Sequence, residues 1–414
     1  MQGWQLKTLG EIAEVQSGGT PLRSHKEYWS GGISWYSSGE LNEMFTKESE
    51  DLITLKGLEE SNAKLFPKGS LLIGMYDTAA LKMSILDRDA AFNQAIAGVK
   101  PNENIDLRFV LYAINSRKIE ILDQRRGVRQ KNLSLSKIKN IKLPIPSLSE
   151  QKRIVAIVDN AFEGIDRAIA NTKKNLTNAR ELFESYLNSI FTQKGNGWVE
   201  RQLKDVCFQI TDGKHGDCGN EADSGYFFLS AKDVKQDRLN YKGARQITKK
   251  DFEETHRRTR LEPGDVLITN SGTIGRTAIA PEDERTYKTT FQKSVAILKP
   301  NKELINSEFC RYSLMAHLSE MVAISAGTAQ KNLLLRDIRV HRFYLPETVY
   351  EQKRIAAKLD EFCQEIQRLE AIYKQKLAAL NELKQSILQK AFTGELTADT
   401  ANQVAKKAEE TIAA

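Results

Sequence analysis

Two stretches of the chain begin in the same way, and the rest of the sequence is organised around them. Residues 143–154 read LPIPSLSEQKRI, and residues 345–355 read LPETVYEQKRI. In both, a hydroxyl residue stands three positions before a glutamate, as Ser147 does before Glu150. This spacing is a capping box, in which the two side chains satisfy backbone N–H groups at the start of a helix. The sequence therefore predicts that a helix begins at each site.

Apolar residues then recur in steps of three and four, which is typical of a helix packed along its whole length. The first seam is Ile154, Val158, Ala161, Ile165, Ala168, Thr172, Leu176, Ala179, Phe183, Tyr186 and Ile190. The second is Ile355, Leu359, Phe362, Ile366, Leu369, Tyr373, Leu377, Leu380, Leu383, Ile387 and Ala391. Each predicted rod is about 65–70 Å long at 1.5 Å per residue. Alone, either helix could be a core helix or a homodimerising coiled coil, but two matched copies favour packing on each other.

The segments before the two helices also match, which indicates an internal duplication of about 200 residues. The clearest pair is QKNL at 130–133 and QKNL at 330–333. Residues 108–122 predict one helix within the first copy. The predicted organisation is a first globular domain (1–146), a long helix (147–192), a second globular domain (198–346), a second long helix (347–394) and a flexible tail (395–414).

Length and connectivity predict how the copies are arranged. A globule of about 150 residues is roughly 40 Å across, so the second domain cannot span a whole rod to make the rods parallel. The expected fold is therefore α+β, with two mixed α/β domains separated by two long antiparallel coiled-coil helices. A pseudo-twofold axis would relate the copies.

Composition predicts a cytoplasmic protein and is compatible with a polyanionic partner. The net charge is +7, no run approaches 18 apolar residues, and the first residues lack an apolar signal core. Four cysteines without a CxxC pair argue against a disulfide framework. A basic balance of this size is compatible with nucleic acid, although many other proteins share it.

The basic residues form two clusters, and the first precedes the first long helix. Its candidate phosphate contacts are Arg125, Arg126, Arg129 and Lys131, with Lys331 as the equivalent in the second copy. The other cluster, over 235–260, is diluted by acidic residues. Either cluster taken alone could also be an ordinary solvated face.

Glycine-containing turns supply a second set of candidates. Small residues let a backbone approach a polyanion closely, where N–H groups can contact phosphates. The residues concerned are Ser17, Gly18, Gly19 and Thr20 in the first copy and Asp212, Gly213, Lys214 and His215 in the second. The aromatic residues beside the first turn, Tyr28, Trp29, Trp35 and Tyr36, are expected to belong to the core rather than to a contact surface.

Catalytic and metal-binding patterns are missing from the sequence. It contains no phosphate loop, no dinucleotide fingerprint and no Asn/Asp-Pro-Pro-aromatic tetrapeptide of amino-methyltransferases. A zinc site from Cys207, His215 and Cys218 would lack a fourth ligand and a counterpart in the first copy. The sequence therefore predicts a binding protein without a metal or catalytic residue.

These features together resemble the specificity subunit of Type I restriction-modification enzymes over essentially the whole chain. The resemblance is carried by the two-copy layout, the two EQKRI helix entries, and the segments SGGTP (17–21), YWSGGI (28–33), DGKH (212–215), GTIG (272–275) and AFTGEL (391–396). Ser34 stands before Trp35 where the family commonly has proline. On this resemblance Thr273, in the GTIG segment, joins the candidate DNA contacts.

The resemblance implies a function that the residue patterns alone do not give. Each globule would read one half of a split sequence in double-stranded DNA, and the paired rods would set the spacing and dock two methyltransferase subunits. S-adenosylmethionine, ATP and magnesium would be bound by those methyltransferases and by separate restriction or motor subunits, and none by this chain. Two other readings remain: an assembly adaptor without base readout, and a fused enzyme, which the missing motifs disfavour.

Overall fold

The computed structural model of the 414-residue chain describes residues 4–123, 132–193, 195, 197–235, 237–325 and 332–393. Backbone contacts divide the chain into two units, Met1–Lys173 with Lys374–Ala414, and Lys174–Tyr373. Each of the two long helices contributes one half to each unit. Within the described residues, no helix combines the length and the apolarity of a membrane span.

The first unit is a mixed α/β structure built on a four-stranded antiparallel sheet. Its strands are β1 (Gln5–Thr8), β2 (Val15–Ser17), β3 (Trp29–Tyr36), β4 (Asp51–Ile53), β5 (Leu71–Gly74), β6 (Met83–Ile85), β7 (Ala90–Phe92), β8 (Ile96–Val99) and β9 (Lys142–Ile145). Its helices are α1 (Leu9–Ile12), α2 (Leu55–Glu59), α3 (Leu107–Ser116), α4 (Lys118–Asp123), α5 (Leu135–Lys139) and the first part of α6 (Leu148–Thr192). The main sheet has the order β2-β8-β5-β6, beside a β4-β3-β7 sheet and a β1-β9 pair.

The core of this unit lies between the main sheet, α3 and the long helices. Leu71 and Ile73 of β5 are fully buried, as are Phe109 and Val110 of α3. The predicted single helix over 108–122 is wrong in one respect, because the chain forms α3 and α4 with a break at Arg117. The Arg117 side chain donates to the Lys142 carbonyl at 2.5 Å and to Glu120 at 2.6 and 2.9 Å, which holds the corner between the helices.

The second unit has the same types of elements in a closely similar order. Its strands are β10 (Trp198–Gln202), β11 (Cys207–Asp212), β12 (Phe227–Leu229), β13 (Val234–Lys235), β14 (Arg238–Leu239), β15 (Val266–Thr269), β16 (Thr277–Ile279), β17 (Thr289–Phe291), β18 (Val295–Pro300) and β19 (Arg342–Pro346). Its helices are α7 (Leu203–Val206), α8 (Lys249–Thr259), α9 (Ser307–Ala316), α10 (Leu318–Ser325), α11 (Leu335–Val340) and the first part of α12 (Val349–Thr393). The main sheet has the order β11-β18-β15-β16, with separate β10-β19, β12-β17 and β13-β14 pairs.

The two long helices, each of 45 residues, run antiparallel where they meet in the second unit. Arg180 of α6 pairs with Glu370 of α12 at 2.8 Å, and six residues further along α6 the Tyr186 ring packs on Phe362 at 4.8 Å between centroids. In the first unit Asp166 accepts from Lys384 at 2.5 Å. Residue numbers therefore rise along α6 as they fall along α12.

The buried stripe on the long helices departs locally from the predicted seams. Tyr186 and Leu369 were expected on the seam, yet both are 37% exposed. Leu187 and Phe191 are buried instead, in the core of the second unit that also contains Phe309. The stripe turns at this end because α6 packs on the globular core as well as on α12.

A buried glutamine explains why EQKRI stands at the start of both helices. Gln151 donates from Nε2 to the Pro146 carbonyl at 3.0 Å and accepts the Asp106 N–H at 2.9 Å. Gln352 does the same with Pro346 at 2.9 Å and Asn306 at 2.8 Å. Each amide thus ties the first turn of a long helix to the N-cap of an earlier helix in the same unit, α3 in the first and α9 in the second.

A tyrosine–aspartate pair fixes the next turn in each unit. The Tyr112 hydroxyl donates to Asp159 of α6 at 2.5 Å, and the Tyr312 hydroxyl donates to Asp360 of α12 at 2.6 Å. Burial and then the carboxylate raise the pKa of Tyr112. Because these tyrosines stay protonated, they remain donors at all physiological pH values.

Candidate nucleic-acid interface

The first candidate turn, Ser17 to Thr20, follows β2 at the edge of the main sheet of the first unit. The Gly18 N–H donates to the Ile96 carbonyl at 3.2 Å, and the Gly19 N–H donates to the Phe92 carbonyl at 2.9 Å. A Cβ on Gly18 would lie 2.0 Å from the Phe92 oxygen. Glycine is thus required by backbone packing, and both N–H groups already have carbonyl partners within the chain, so DNA contact by Gly18 and Gly19 stays a prediction.

The side chains of this turn line a polar cleft of about 610 Å³ instead. Its walls are formed by Ser17, Gly18, Gly19, Thr20, Ser61, Asn62, Ala63, Lys64 and Gln94. The Thr20 hydroxyl donates to Gln94 Oε1 at 2.5 Å, and Lys64 is exposed at the rim. Hydroxyl, amide and ammonium groups are the ones that proteins use on base edges and phosphates.

The second candidate turn, Asp212 to His215, has the same backbone geometry at the end of β11. The Lys214 N–H donates to the Phe291 carbonyl at 2.7 Å. A Cβ on Gly213 would lie 1.9 Å from the same oxygen, as a Cβ on Gly18 would from that of Phe92. The structure therefore builds one turn twice, with different residues around a shared glycine.

Ion pairs with α8 hold Lys214 of the second turn and leave His215 more accessible. Lys214 is paired with Asp251 at 3.2 Å and Glu254 at 3.4 Å, and its side chain is only 18% exposed. Desolvation opposes its charge, but hydrogen bonds to these carboxylates outweigh desolvation and raise the pKa of Lys214. The His215 side chain is 64% exposed, with Nε2 2.9 Å from the buried Asp212 carboxylate. His215 is therefore the member of this turn that a ligand can reach.

Thr273 lies in the connection between β15 and β16, and its side chain is exposed. Gly272 and Gly275 flank it with φ values of 74° and 89°, which favour glycine. The Thr269 hydroxyl donates to the Thr273 carbonyl at 2.5 Å. The connection is thus held by hydrogen bonding to its own backbone, and Thr273 is exposed on it.

Arg125, Arg126, Arg129, Lys131 and Lys331 lie outside the described residues, and their role as phosphate contacts stays a prediction. The residues that follow them are described. Leu133 donates its N–H to the Met75 carbonyl and Leu333 to the Asn270 carbonyl, both at 2.8 Å, and both leucines are buried. The leucine that ends both QKNL segments is therefore packed in the core of its unit.

The described flank of the first basic cluster carries three exposed lysines, Lys137, Lys139 and Lys142. The second cluster is different. On α8, Lys249, Lys250, Arg257 and Arg258 are exposed but alternate with acidic residues. Arg245 is held by Asp217 at 2.5 Å and by the Cys218 carbonyl. The solvated-face interpretation therefore suits the second cluster better than the first.

The aromatic residues beside the first turn belong to the core as predicted, since Tyr28, Trp35 and Tyr36 are buried. Half-buried Trp29 lies under the Arg23 guanidinium, whose carbon is 3.8 Å from the Trp29 ring centroid.

A group of three potential metal ligands in the second unit was not predicted from the sequence. His317, Glu320 and His341 converge in the second unit, with one ligand atom from each within 4.8 Å of the others. The separation of His341 along the chain hides this group from any spacing rule.

The fold and these surfaces define a class of protein: a binding protein with two similar α/β units, each presenting a polar turn at one sheet edge. A family model described as the Type I restriction modification DNA specificity domain matches residues 1–178 and 195–379. The chain belongs to this family of Type I restriction-modification specificity subunits, which confirms the resemblance seen in the sequence.

Individual relatives agree with this family. The chain is 32% identical over 199 residues to the EcoR124I/EcoR124II specificity subunit of Escherichia coli, a match of 44% of this chain and 48% of that one. It is 24% identical over 412 residues to the Escherichia coli EcoBI specificity subunit, covering 92% of this chain and 81% of that one. The match thus spans about half of the first relative and most of the second.

Two solved structures have the same fold. A chain from a structure concerning complex assembly and conformational transition of the type I R-M system superposes with a TM-score of 0.78 at 20% identity, covering 96% of this chain and 99% of that one. The HsdS subunit from Thermoanaerobacter tengcongensis gives a TM-score of 0.56 at 20% identity, covering 95% and 98%. At these identities the likeness concerns the fold alone.

Proposed function

We propose that this chain is the sequence-specific DNA-binding subunit of a Type I restriction-modification complex and reads a bipartite, asymmetric target. The observation that carries the proposal is the turn built twice on the same backbone. Gly18 and Gly213 occupy equivalent places, whereas Thr20 is replaced by His215. A shared frame with different side chains suits two half-sites of different sequence.

Recognition in this proposal combines two kinds of contact. Side chains in the first cleft, around Thr20 and Lys64, and His215 and Thr273 in the second unit would meet base edges or nearby phosphates. Exposed lysines before the first long helix would meet phosphates only, and so would position the protein without specifying sequence. The chain itself supplies no catalytic group in this scheme.

The two long helices have the further role of fixing half-site spacing and docking partner subunits. Two methyltransferase subunits, with S-adenosylmethionine, and restriction subunits, with ATP and magnesium, would perform the chemistry. The buried Gln151 and Gln352 amides support this role, because they fix the start of each helix against a globular core. With a rigid joint, the length of the helices determines the distance between the two globular domains and so the gap between half-sites. With a loose joint it would not.

The test is a map of modified sites. The chain and its methyltransferase subunit are produced in cells, and methylated bases are located by single-molecule sequencing. We expect two short conserved half-sequences separated by a fixed gap. Exchanging residues 1–146 for the equivalent part of a relative should change one half-sequence and keep the other. A single continuous site, or loss of both halves in an assembled chimera, would refute bipartite reading.

The spacing role has its own test. Seven residues inserted near Leu176 and at the matching layer of α12 keep the heptad phase and add about 10 Å of helix. At 3.4 Å per base pair this corresponds to about three base pairs. Selection from a library of gap lengths should return the same half-sequences with a longer preferred gap. An unchanged gap would leave the helices as docking surfaces alone.

A further inference from the structure

One corner of the second unit gathers three potential metal ligands that the proposed function does not use. His317 follows α9, Glu320 lies in the first turn of α10, and His341 stands between α11 and β19. One ligand atom from each lies within 4.8 Å of the other two, the only such trio of His, Cys, Asp or Glu among the described residues.

The first histidine has the tautomer that a metal requires. His317 Nδ1 lies 2.8 Å from the Ser313 carbonyl oxygen, which can only accept, so Nδ1 carries the proton. The lone pair is therefore on Nε2. Histidines that bind metals usually donate their other ring nitrogen to a carbonyl or carboxylate in this way, which fixes both tautomer and ring orientation.

The second histidine carries an unsatisfied nitrogen. His341 is 8% exposed, and within the described part of the chain its buried Nε2 has no hydrogen-bond partner. Such a group is rare in folded proteins because burying it without a partner costs free energy. A buried ring nitrogen without a partner can offer its lone pair to an ion.

In the first unit, the equivalent corner contains a positively charged arginine side chain. His341 and Ile141 are equivalent, because each donates its N–H three residues back, to Ile338 and Ile138, and each accepts from a leucine N–H. At the position of His317 the first unit has Arg117, whose guanidinium binds Glu120 at 2.6 and 2.9 Å.

The comparison shows what the second corner lacks. Glu320 corresponds to Glu120 in the first turn of the following helix, but its neighbour is the imidazole of His317 rather than a guanidinium. Among the residues that the structure describes, no cation takes the place of Arg117 beside Glu320, and His341 Nε2 has no hydrogen-bond partner. One bound cation would supply both.

We propose that His317, Glu320 and His341 bind a divalent first-row transition metal ion of the zinc type. Two imidazoles and one carboxylate form a ligand set that zinc accepts, and three protein ligands leave a fourth position for water. Zinc–ligand bonds near 2 Å place ligand atoms about 3.3 Å apart, so the trio must close slightly. Glu320 is exposed, and its flexible side chain can make that movement. The ion would join the α9–α10 corner to the start of β19, in contrast with the metal-free protein expected from sequence.

Metal binding is measured on the full chain without an affinity tag, after removal of metal by a chelator. Zn²⁺ is titrated against a chromogenic chelator, and Co²⁺ is used as a spectroscopic probe of coordination. We expect one ion per chain, and an unfolding temperature that rises with Zn²⁺ but not with Mg²⁺, which prefers oxygen ligands. A chain that binds no Zn²⁺ in competition with the chelator would overturn the proposal.

The first unit supplies the variants that locate the ion. His317→Arg and His341→Ile install the residues that already fold at the equivalent positions, so circular dichroism should stay unchanged. Each should weaken Zn²⁺ binding at least tenfold and abolish the thermal shift, and Glu320→Gln should weaken binding as well. Glu120→Gln is the matched control and should leave binding intact. Full binding by folded His317→Arg and His341→Ile would place the ion elsewhere, for instance on a cysteine, and refute the site.

Discussion

The turn after β2 and the turn after β11 share a backbone and differ in chemistry. Gly18 and Gly213 are both enclosed by a phenylalanine carbonyl, at a distance that excludes any Cβ. One position further, Gly19 corresponds to Lys214, and Thr20 corresponds to His215. The fold thus requires glycine at the turning position of both units. Gly19 is also enclosed, because a Cβ there would lie 2.2 Å from the Asn62 backbone, so the turn position at which both units carry different side chains is that of Thr20 and His215.

The joints between globule and long helix show the opposite behaviour. Gln151 and Gln352 make the same two hydrogen bonds at nearly equal distances. Tyr112 and Tyr312 do so as well. Where a side chain satisfies buried backbone groups, both copies keep the same residue, because any other leaves those groups unpaired.

The largest effect is expected from removing one joint. Gln352→Ala leaves the Asn306 N–H and the Leu304 and Pro346 carbonyls without their side-chain partner. Each unsatisfied buried group costs about 1–3 kcal/mol, so the free energy of unfolding of the second unit should fall by about 3 kcal/mol or more. Denaturant unfolding, with hydrogen exchange to identify the unit, measures this loss.

Exposed Gln367 on the same helix is the control, and Gln367→Ala should change stability by less than about 0.5 kcal/mol. Gln151→Ala should act in the same way on the first unit. If Gln352→Ala and Gln367→Ala were equally stable, the joint would not be a structural requirement.

A smaller effect should follow from adding one methyl group to either turn. In Gly213→Ala the new Cβ would meet the Phe291 oxygen at 1.9 Å, and in Gly18→Ala it would meet the Phe92 oxygen at 2.0 Å. Overpacking of this kind costs about 1–3 kcal/mol. Thermal unfolding should show a similar loss for both. Gly32→Ala, which has open space at Cβ, should be neutral, and equal melting of all three variants would contradict the packing argument.

The flanks of the two basic segments should differ in salt dependence. Lys137, Lys139 and Lys142 are exposed, whereas in the second unit Arg339 donates to the Ile210 carbonyl at 2.7 Å and Arg342 pairs with Glu200 at 2.8 Å. Changing the three lysines to Gln should reduce the slope of log K against log salt by up to about 0.9 per phosphate contact. DNA binding by the complex with methyltransferase, measured over a salt series, tests this.

Arg342→Gln serves as the comparison, because its charge is already paired within the fold. It should leave the salt slope nearly unchanged. If Arg342→Gln reduced the slope of log K against log salt as much as the lysine substitutions do, both units would contact phosphates to the same extent. The proposed difference between the two basic segments would then be refuted.

The smallest effect is expected at the ion pair between the long helices in the second unit. Arg180 and Glu370 are partly exposed, and such pairs contribute about 0–1 kcal/mol. Arg180→Ala should therefore lower stability only slightly, and less at high salt. Arg167→Ala, whose partner Glu163 is 3.9 Å away and mostly exposed, should have no measurable effect. A loss above about 2 kcal/mol at Arg180 would mean that this pair, rather than the apolar stripe, holds the helices together.

The sequence by itself determined the long helices and the family, and it predicted a repeated order of elements. The sequence features that indicate them are local or periodic: the proline before Ser147, the spacing of apolar residues along the seam, and repeated motifs such as EQKRI. Such patterns follow from backbone geometry and from the need to bury one face, so they can be read without coordinates. The core assignment of Tyr28, Trp35 and Tyr36 followed from the general tendency of large aromatic side chains to be buried.

Tertiary structure alone decided how the polar groups are used. Gly18 and Gly19 were expected to offer N–H groups to phosphate, but carbonyls distant in sequence accept them. The buried stripe turned from Tyr186 to Leu187 because a globular core competes with the partner helix. His341 came to lie beside His317 only through tertiary packing, which brings their ring centroids to 5.1 Å. Hydrogen bonds and ligand sets join residues far apart along the chain, and no sequence period records those distances.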